Sequence, residues 1–140
     1  MKRTVIIVAS VIAAVLLNVF GIYFFKCREL IDFTEELITA SYTTYGELPM
    51  KYKGVIGEEI FAEFCHRSKP RQKEITETLK VEDYRVRFED NTAIVKYVYT
   101  YSQRDRESGE ALTGSLCIPC EVVFEKQGDM WIPVSHYESL

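Results

Sequence analysis

The chain opens with no alternation of polar and apolar residues. From Thr4 to Phe25 every residue is uncharged, and only Thr4, Ser10 and Asn18 are polar. A helix built from this run is oily on all sides, whereas a globular core helix normally keeps one polar face. At ~1.5 Å per residue the run crosses the ~30 Å hydrocarbon layer of a bilayer. It is longer than the apolar part of a cleaved signal peptide and ends Gly-Ile-Tyr-Phe-Phe-Lys rather than in a small-x-small site. The sequence therefore predicts an uncleaved single-pass anchor.

After the anchor the pattern becomes helical. Leu30, Ile31, Phe33, Leu37, Ile38, Tyr42 and Tyr45 recur at three- and four-residue intervals, so the membrane helix should continue as an amphipathic one. Gly46 and Pro49 should end it. A second helix is expected from about Gly57 to Arg67, with Ile60, Phe61, Phe64 and Cys65 on one face. A third, short one is expected to open at Pro70, with Ile75 and Leu79 four apart. Tyr52 to Val55 is a weak candidate for a short strand.

From Val81 the period changes to two. Tyr84, Val86 and Phe88 alternate with charged residues, and Glu89-Asp90-Asn91 is turn chemistry. Thr92 to Ser102 reads as a strand with Ala93, Val95, Tyr97, Tyr99 and Tyr101 on one face. Arg104 to Glu110 reads as a charged loop. Leu112, Gly114, Leu116, Ile118, Cys120, Val122 and Phe124 then alternate without interruption, and Gln127-Gly128-Asp129 turns the chain into a last strand, Met130 to Tyr137. The expected fold class is α+β: a transmembrane helix running into a helical segment, then a curved four-stranded antiparallel meander packed on helices. The expected domains are residues 1–28, tip and anchor, and 29–140, a cone-like domain.

Charge sharpens this division. All twenty-one acids lie at or after Glu29, while four of the seventeen bases, Lys2, Arg3, Lys26 and Arg28, precede it. The part beyond the anchor therefore carries about −8 by formal count. Such a domain is repelled by phosphate backbones, which argues against nucleic-acid binding. The basic cluster Arg67, Lys69, Arg71 and Lys73 has no interleaved aromatics and reads as solvated surface. The bases flanking the anchor are nearly balanced, but the N-terminal tail is too short to be a translocated domain. A cytoplasmic N-terminus and an extracytoplasmic C-terminal domain at the plasma membrane are expected.

Two stretches carry a family resemblance. Asn91-Thr-Ala-Ile-Val-Lys-Tyr-Val-Tyr-Thr-Tyr101 and Val122-Val-Phe-Glu-Lys-Gln-Gly-Asp-Met-Trp-Ile132 resemble the strand endings of the nuclear-transport-factor-2-like superfamily, also called SnoaL-like or cystatin-like cones. The chain is similar to small membrane-anchored bacterial proteins of that kind. The resemblance covers about Glu29 to Tyr137 and implies a helix on a curved sheet. It implies no activity, because the fold hosts enzymes, binders and scaffolds alike.

If the concave face encloses a cavity, Tyr97, Tyr99, Tyr101, Trp131, His136 and Tyr137 are its candidate lining. As plain core, the same aromatics need no ligand. No catalytic constellation is visible, since one His and one Tyr do not make one, and Glu121 and Glu125 face outward. Cys117-Ile-Pro-Cys120 has redox spacing but lies in a strand, where its sulfurs point to opposite faces. Redox pairs instead place the first thiol at a helix N-terminus. Pro119 argues for a bulge or an edge there. Cys65, Cys117 and Cys120 are candidates for a disulfide or for core thiols, and a Cys65–Cys120 bridge and reduced thiols are equally allowed. Neither a cofactor nor a metal is expected, because only His66 and His136 could join the cysteines and no second Cys-x-x-Cys is present.

The expected function is a non-enzymatic binding or scaffolding module tethered to a bacterial envelope. Its expected partners are the lipid bilayer, through residues 4–25, and either an unidentified envelope protein or a second copy. The alternatives are a small-molecule binder or enzyme using the cone, and a thiol-disulfide protein.

Overall fold

The oily run becomes the first half of one continuous helix. A computed structural model describes residues 2–66 and 74–139, and in it helix α1 runs unbroken over Lys2–Thr44. Its two halves have opposite surroundings. From Val5 to Phe25 the large apolar side chains are between 48% and 73% exposed to the surroundings, an arrangement that suits lipid and not water. This helix is long and apolar enough to span a membrane. From Leu30 onward a stripe of Leu30, Thr34, Leu37, Ile38, Ser41 and Tyr42 is buried. Thr34 and Ser41 bond to the carbonyls of Leu30 and Ile38 of their own helix, at 2.8 and 2.7 Å, so these small polar residues are buried without loss. Tyr45 and Gly46 both take positive φ, and the Gly46 N–H donates to the Ser41 carbonyl at 2.8 Å, ending the helix as its glycine predicts.

A 3₁₀ turn, Met50–Tyr52, leads into a further turn over residues 53–55, so the weak strand candidate Tyr52 to Val55 is not a strand. Helix α2 is only Glu58–Glu63, shorter than expected, but it delivers Phe61 and Phe64 to the core fully buried. The expected third helix is a correction. Pro70, like the basic cluster, lies outside the described residues, and Ile75 and Leu79 belong to strand β1, Ile75–Glu89. A four-residue interval returns a side chain to the same face in both a helix and a strand, so the spacing of those two residues could not separate the alternatives.

Strands β1, β2 (Thr92–Asp105), β3 (Ala111–Gln127) and β4 (Met130–Glu138) form one antiparallel sheet in chain order. The sheet is curved and open, and the second half of α1 lies against it together with α2. Ala93, Val95, Tyr97, Tyr99 and Tyr101 face inward on β2, all 3% exposed or less. Cys120, Val122 and Phe124 do the same on β3.

Several register shifts interrupt the sheet, and two of them overturn the pattern read from the sequence. On β1, Glu82 opposes Val98 and Arg85 opposes Lys96, so Asp83 and Tyr84 together face Tyr97. Asp83 takes a φ of 59° to allow this. Inward positions switch there from Val81 to Tyr84, Val86 and Phe88, which is why the alternation seen in the sequence begins only after the bulge. On β3, Ile118 opposes Tyr99 but Ser115 opposes Tyr101, so Leu116 and Cys117 share Thr100. Cys117 has a φ of 51°. The unbroken alternation from Leu112 to Phe124 is thus misleading: Leu112 and Leu116 are 44% and 75% exposed. Pro119 sits beside this bulge. Its carbonyl accepts the Ser139 N–H at 2.8 Å just past the end of β4, so the proline falls where that ladder is ending.

The Glu89–Thr92 turn lies towards the apolar half of the helix, and the Gln127–Met130 turn lies beside Glu29, Leu30 and Phe33. The Phe88 ring meets Tyr23 at 5.7 Å and Trp131 at 5.8 Å. The distal end of the β2–β3 hairpin points the other way.

Candidate functional site

Polar groups gather where β2, β3 and β4 meet the end of α2. Three tyrosines alternate along the inward face of β2, and each hydroxyl finds a protein partner. Tyr97 Oη lies 2.7 Å from His136 Nε2, and Tyr99 Oη donates to Glu138 Oε1 at 2.7 Å. Tyr101 Oη donates to Glu77 Oε1 at 3.1 Å, while the Gln103 amide donates to both, at 2.6 and 2.9 Å.

His66 follows α2 and lays its ring flat on Tyr99, with centroids 3.8 Å apart and planes within 9°. Its Nδ1 lies 3.1 Å from Glu138 Oε1, so that carboxylate orients the imidazole and the Tyr99 hydroxyl together. His66 Nε2 is buried with no hydrogen-bond partner. The His66 ring approaches that of His136 to 5.7 Å, and Phe64 covers His136 at 4.6 Å. Cys120 pairs across the sheet with Tyr97 on one side and with Glu138 on the other. One donor atom each from His66, Cys120 and His136 falls within 4.8 Å of the others.

Burial dominates the electrostatics here. It pulls His136 down to about 4, with the neighbouring His66 adding to the effect. It also lowers His66, against the opposing pull of Glu138. It pushes the Cys120 thiol up to about 12 and raises the Tyr97 hydroxyl well above its ordinary range. At neutral pH this is a set of two uncharged imidazoles, a thiol and a phenol. Such a set can share protons internally or offer nitrogen and sulfur lone pairs. It has no ionised nucleophile and no poised acid.

The structure brings together Tyr97, Tyr99, His136 and Cys120 of the residues singled out from the sequence, with Tyr101 next along the strand. Trp131 lies at the opposite end of β4 from His136, against Phe88, and does not join them. Tyr137 points to the outer face, 47% exposed, and donates to Glu121. Glu121 is 9% exposed although it faces outward, because Tyr137 and Lys96, the latter at 3.0 Å, close over it. Cys117 is exposed on the bulge with its N–H bonded to Thr100 Oγ1 at 3.1 Å, and Cys65 packs beside Gly46. All four cysteines are free thiols.

Glu138 is the member that sequence reasoning missed, and His66 entered it only as a companion of the cysteines, in a set too few to bind a metal. A signal for Glu138 existed, since it lies two residues beyond the inward-facing His136 in a strand. His66 carried none beyond its position next to Cys65. No family model, curated protein or solved structure matches this chain.

Proposed function

We propose that the chain is a single-pass membrane protein whose C-terminal domain is a non-catalytic binding or scaffolding module. The N-terminus lies in the cytoplasm and the domain on the extracytoplasmic face of a bacterial plasma membrane. Helix continuity supports the tether. With no linker between the exposed oily half and the buried stripe from Leu30, the domain is held at fixed height and orientation. The helix resting on a curved antiparallel meander supports the resemblance to the nuclear-transport-factor-2-like cones at the level of architecture.

The observation that carries the binding role is the open edge of β3. Strand β4 pairs with β3 only over Cys120–Gln127, so among the described residues Ala111 to Ile118 have a strand on one side alone. Leu112 and Leu116 are exposed on this segment, at the end of the sheet away from the membrane. A half-paired strand with exposed leucines is a template for strand addition by a partner. The partner is another envelope protein or a second copy.

A cavity enzyme fits less well. The tyrosine hydroxyls that would face a ligand are engaged by His136, Glu138 and Glu77. A thiol-disulfide role fits less well too, because Cys120 is buried and its thiol is pushed up to about 12.

The test is site-specific photo-crosslinking from Leu116 in membranes, with Glu125, on the exposed outer face of β3 where β4 flanks it, as the control position. A discrete adduct from position 116, lost when Leu112→Lys blocks the edge, supports the reading. A domain that stays monomeric and gives no discrete adduct from either position refutes it.

A further inference from the structure

We propose that His66, Cys120 and His136 form a binding site for one zinc ion, the two imidazoles and the thiolate acting as its three protein ligands. This goes beyond the scaffolding role and does not depend on it.

The donors come from three separate elements: the segment after α2, strand β3 and strand β4. They converge within 4.8 Å of one another. Zinc–nitrogen and zinc–sulfur bonds of ~2.0–2.3 Å put tetrahedral ligands roughly 3.3–3.8 Å apart. A contraction of about 1 Å, by small side-chain rotations, therefore closes the site around an ion. His66 can supply most of it, because it lies in the segment after α2 and not inside a strand ladder.

Two features favour an ion over a merely packed core. First, His66 Nε2 is a buried nitrogen without a partner, on a side chain only 10% exposed. Buried polar atoms are seldom left unsatisfied without a reason. Glu138 accepts the Nδ1 proton of the same ring, which fixes the tautomer that leaves the Nε2 lone pair free. A carboxylate behind a histidine in this way is the usual support of a zinc ligand. Second, the surroundings are suitable. Phe64 and Tyr97 wall the site, and Tyr97 Oη, 2.7 Å from His136 Nε2, orients the second imidazole.

A nitrogen and sulfur donor set selects a borderline-soft ion over magnesium or calcium, which require oxygen. On binding, the Cys120 S–H bond breaks, its proton passes to solvent, and the sulfur electron pair forms the zinc bond. Nothing is oxidised or reduced. An ion here would tie the segment after α2 to both β3 and β4, adding to the contacts that His66 already makes with Tyr99 and Glu138.

The test uses the full chain in detergent, reduced and stripped with a chelator. Zinc is titrated against a chromophoric competitor, and cobalt(II) is added in parallel as a coloured surrogate. One equivalent of zinc per chain is expected, together with a sulfur-to-cobalt absorption band. Cys120→Ser should abolish the band, and His66→Gln should weaken zinc by more than ~100-fold. Glu138→Gln should weaken it by about 10–100-fold, as loss of a supporting carboxylate does. A triple variant replacing Cys27, Cys65 and Cys117 by Ser should keep both the band and the stoichiometry, and it tests the site even if His66→Gln fails to fold. Absence of the band in that triple variant, or zinc binding undiminished in Cys120→Ser, overturns the proposal.

Discussion

Leu17 and Leu37 are the same residue on the same helix, and truncating each to alanine should have opposite consequences. Leu37 is fully buried against the sheet, whereas Leu17 is 73% exposed in the oily half. Leu37→Ala removes buried methyl and methylene groups and leaves a cavity that a helix packed on a sheet can only partly collapse. Such changes cost about 2.7–5 kcal/mol. A domain of this size has roughly 5–15 kcal/mol in total, so about a fifth of its stability or more is at stake. At about 4 °C per kcal/mol, Tm should fall by roughly 10–20 °C. The assay is thermal and urea unfolding in detergent, followed by the fluorescence of the single tryptophan. Trp131 packs on Phe88 in the folded domain and is not near either mutation site in sequence. Leu17→Ala touches lipid or detergent only and should leave the transition unmoved. If Leu37→Ala shifts stability by less than ~1 kcal/mol, or if the two variants shift it equally, the division of α1 into a lipid half and a core half is wrong.

Tyr97→Phe removes one hydroxyl without changing the packing volume and deprives the buried His136 Nε2 of its 2.7 Å partner. It should cost about 1–3 kcal/mol in urea unfolding. Gly114→Ala should cost a similar ~1–3 kcal/mol, because the added carbon would stand 2.8 Å from the Tyr101 carbonyl oxygen, which the strand pairing holds in place. Maleimide labelling of the native protein should modify exposed Cys117 quickly and buried Cys120 only on unfolding. Stability should fall with acid partly through Glu121, whose carboxyl is held below its ordinary range by the Tyr137 hydroxyl and by Lys96. Its folded pKa is lower than its unfolded one, so its contribution is complete above the usual carboxylate value of ~4.3 and is lost as the pH falls through the folded value. Glu121→Gln should therefore flatten the decline in Tm below about pH 5, and parallel curves for the two proteins would contradict the assignment.

The legible parts of this chain were those in which neighbours in sequence carry the whole signal. The face of β2 was readable because Ala93, Val95, Tyr97, Tyr99 and Tyr101 hold one register from end to end. The end of α1 was readable because Gly46 takes the left-handed conformation that other residues resist. Illegible parts share a different property. Leu112 and Leu116 belong to a pattern that looks perfect, yet one extra residue at Leu116-Cys117 moves the distal leucines to the outer face. Pro119 pointed to a bulge or an edge nearby, but the gain that fixes the inserted residue lies in pairing with β2, so β3 alone did not show which side chains would change face. The start of β1 was hidden in the same way by the bulge at Asp83.

What the amino-acid sequence determined by itself was the apolar run long enough to cross a bilayer, the order of helices before strands, and the inward side of the central strand. Each follows from dihedral geometry repeating over a few adjacent residues. Only the tertiary structure decided which side chains meet. His66, Cys120, His136 and Glu138 span more than seventy positions, and they come together because the meander's register and the placement of α2 bring three elements to one point. Proximity of that kind depends on how whole strands slide against one another, and a side chain's local pattern carries no record of it.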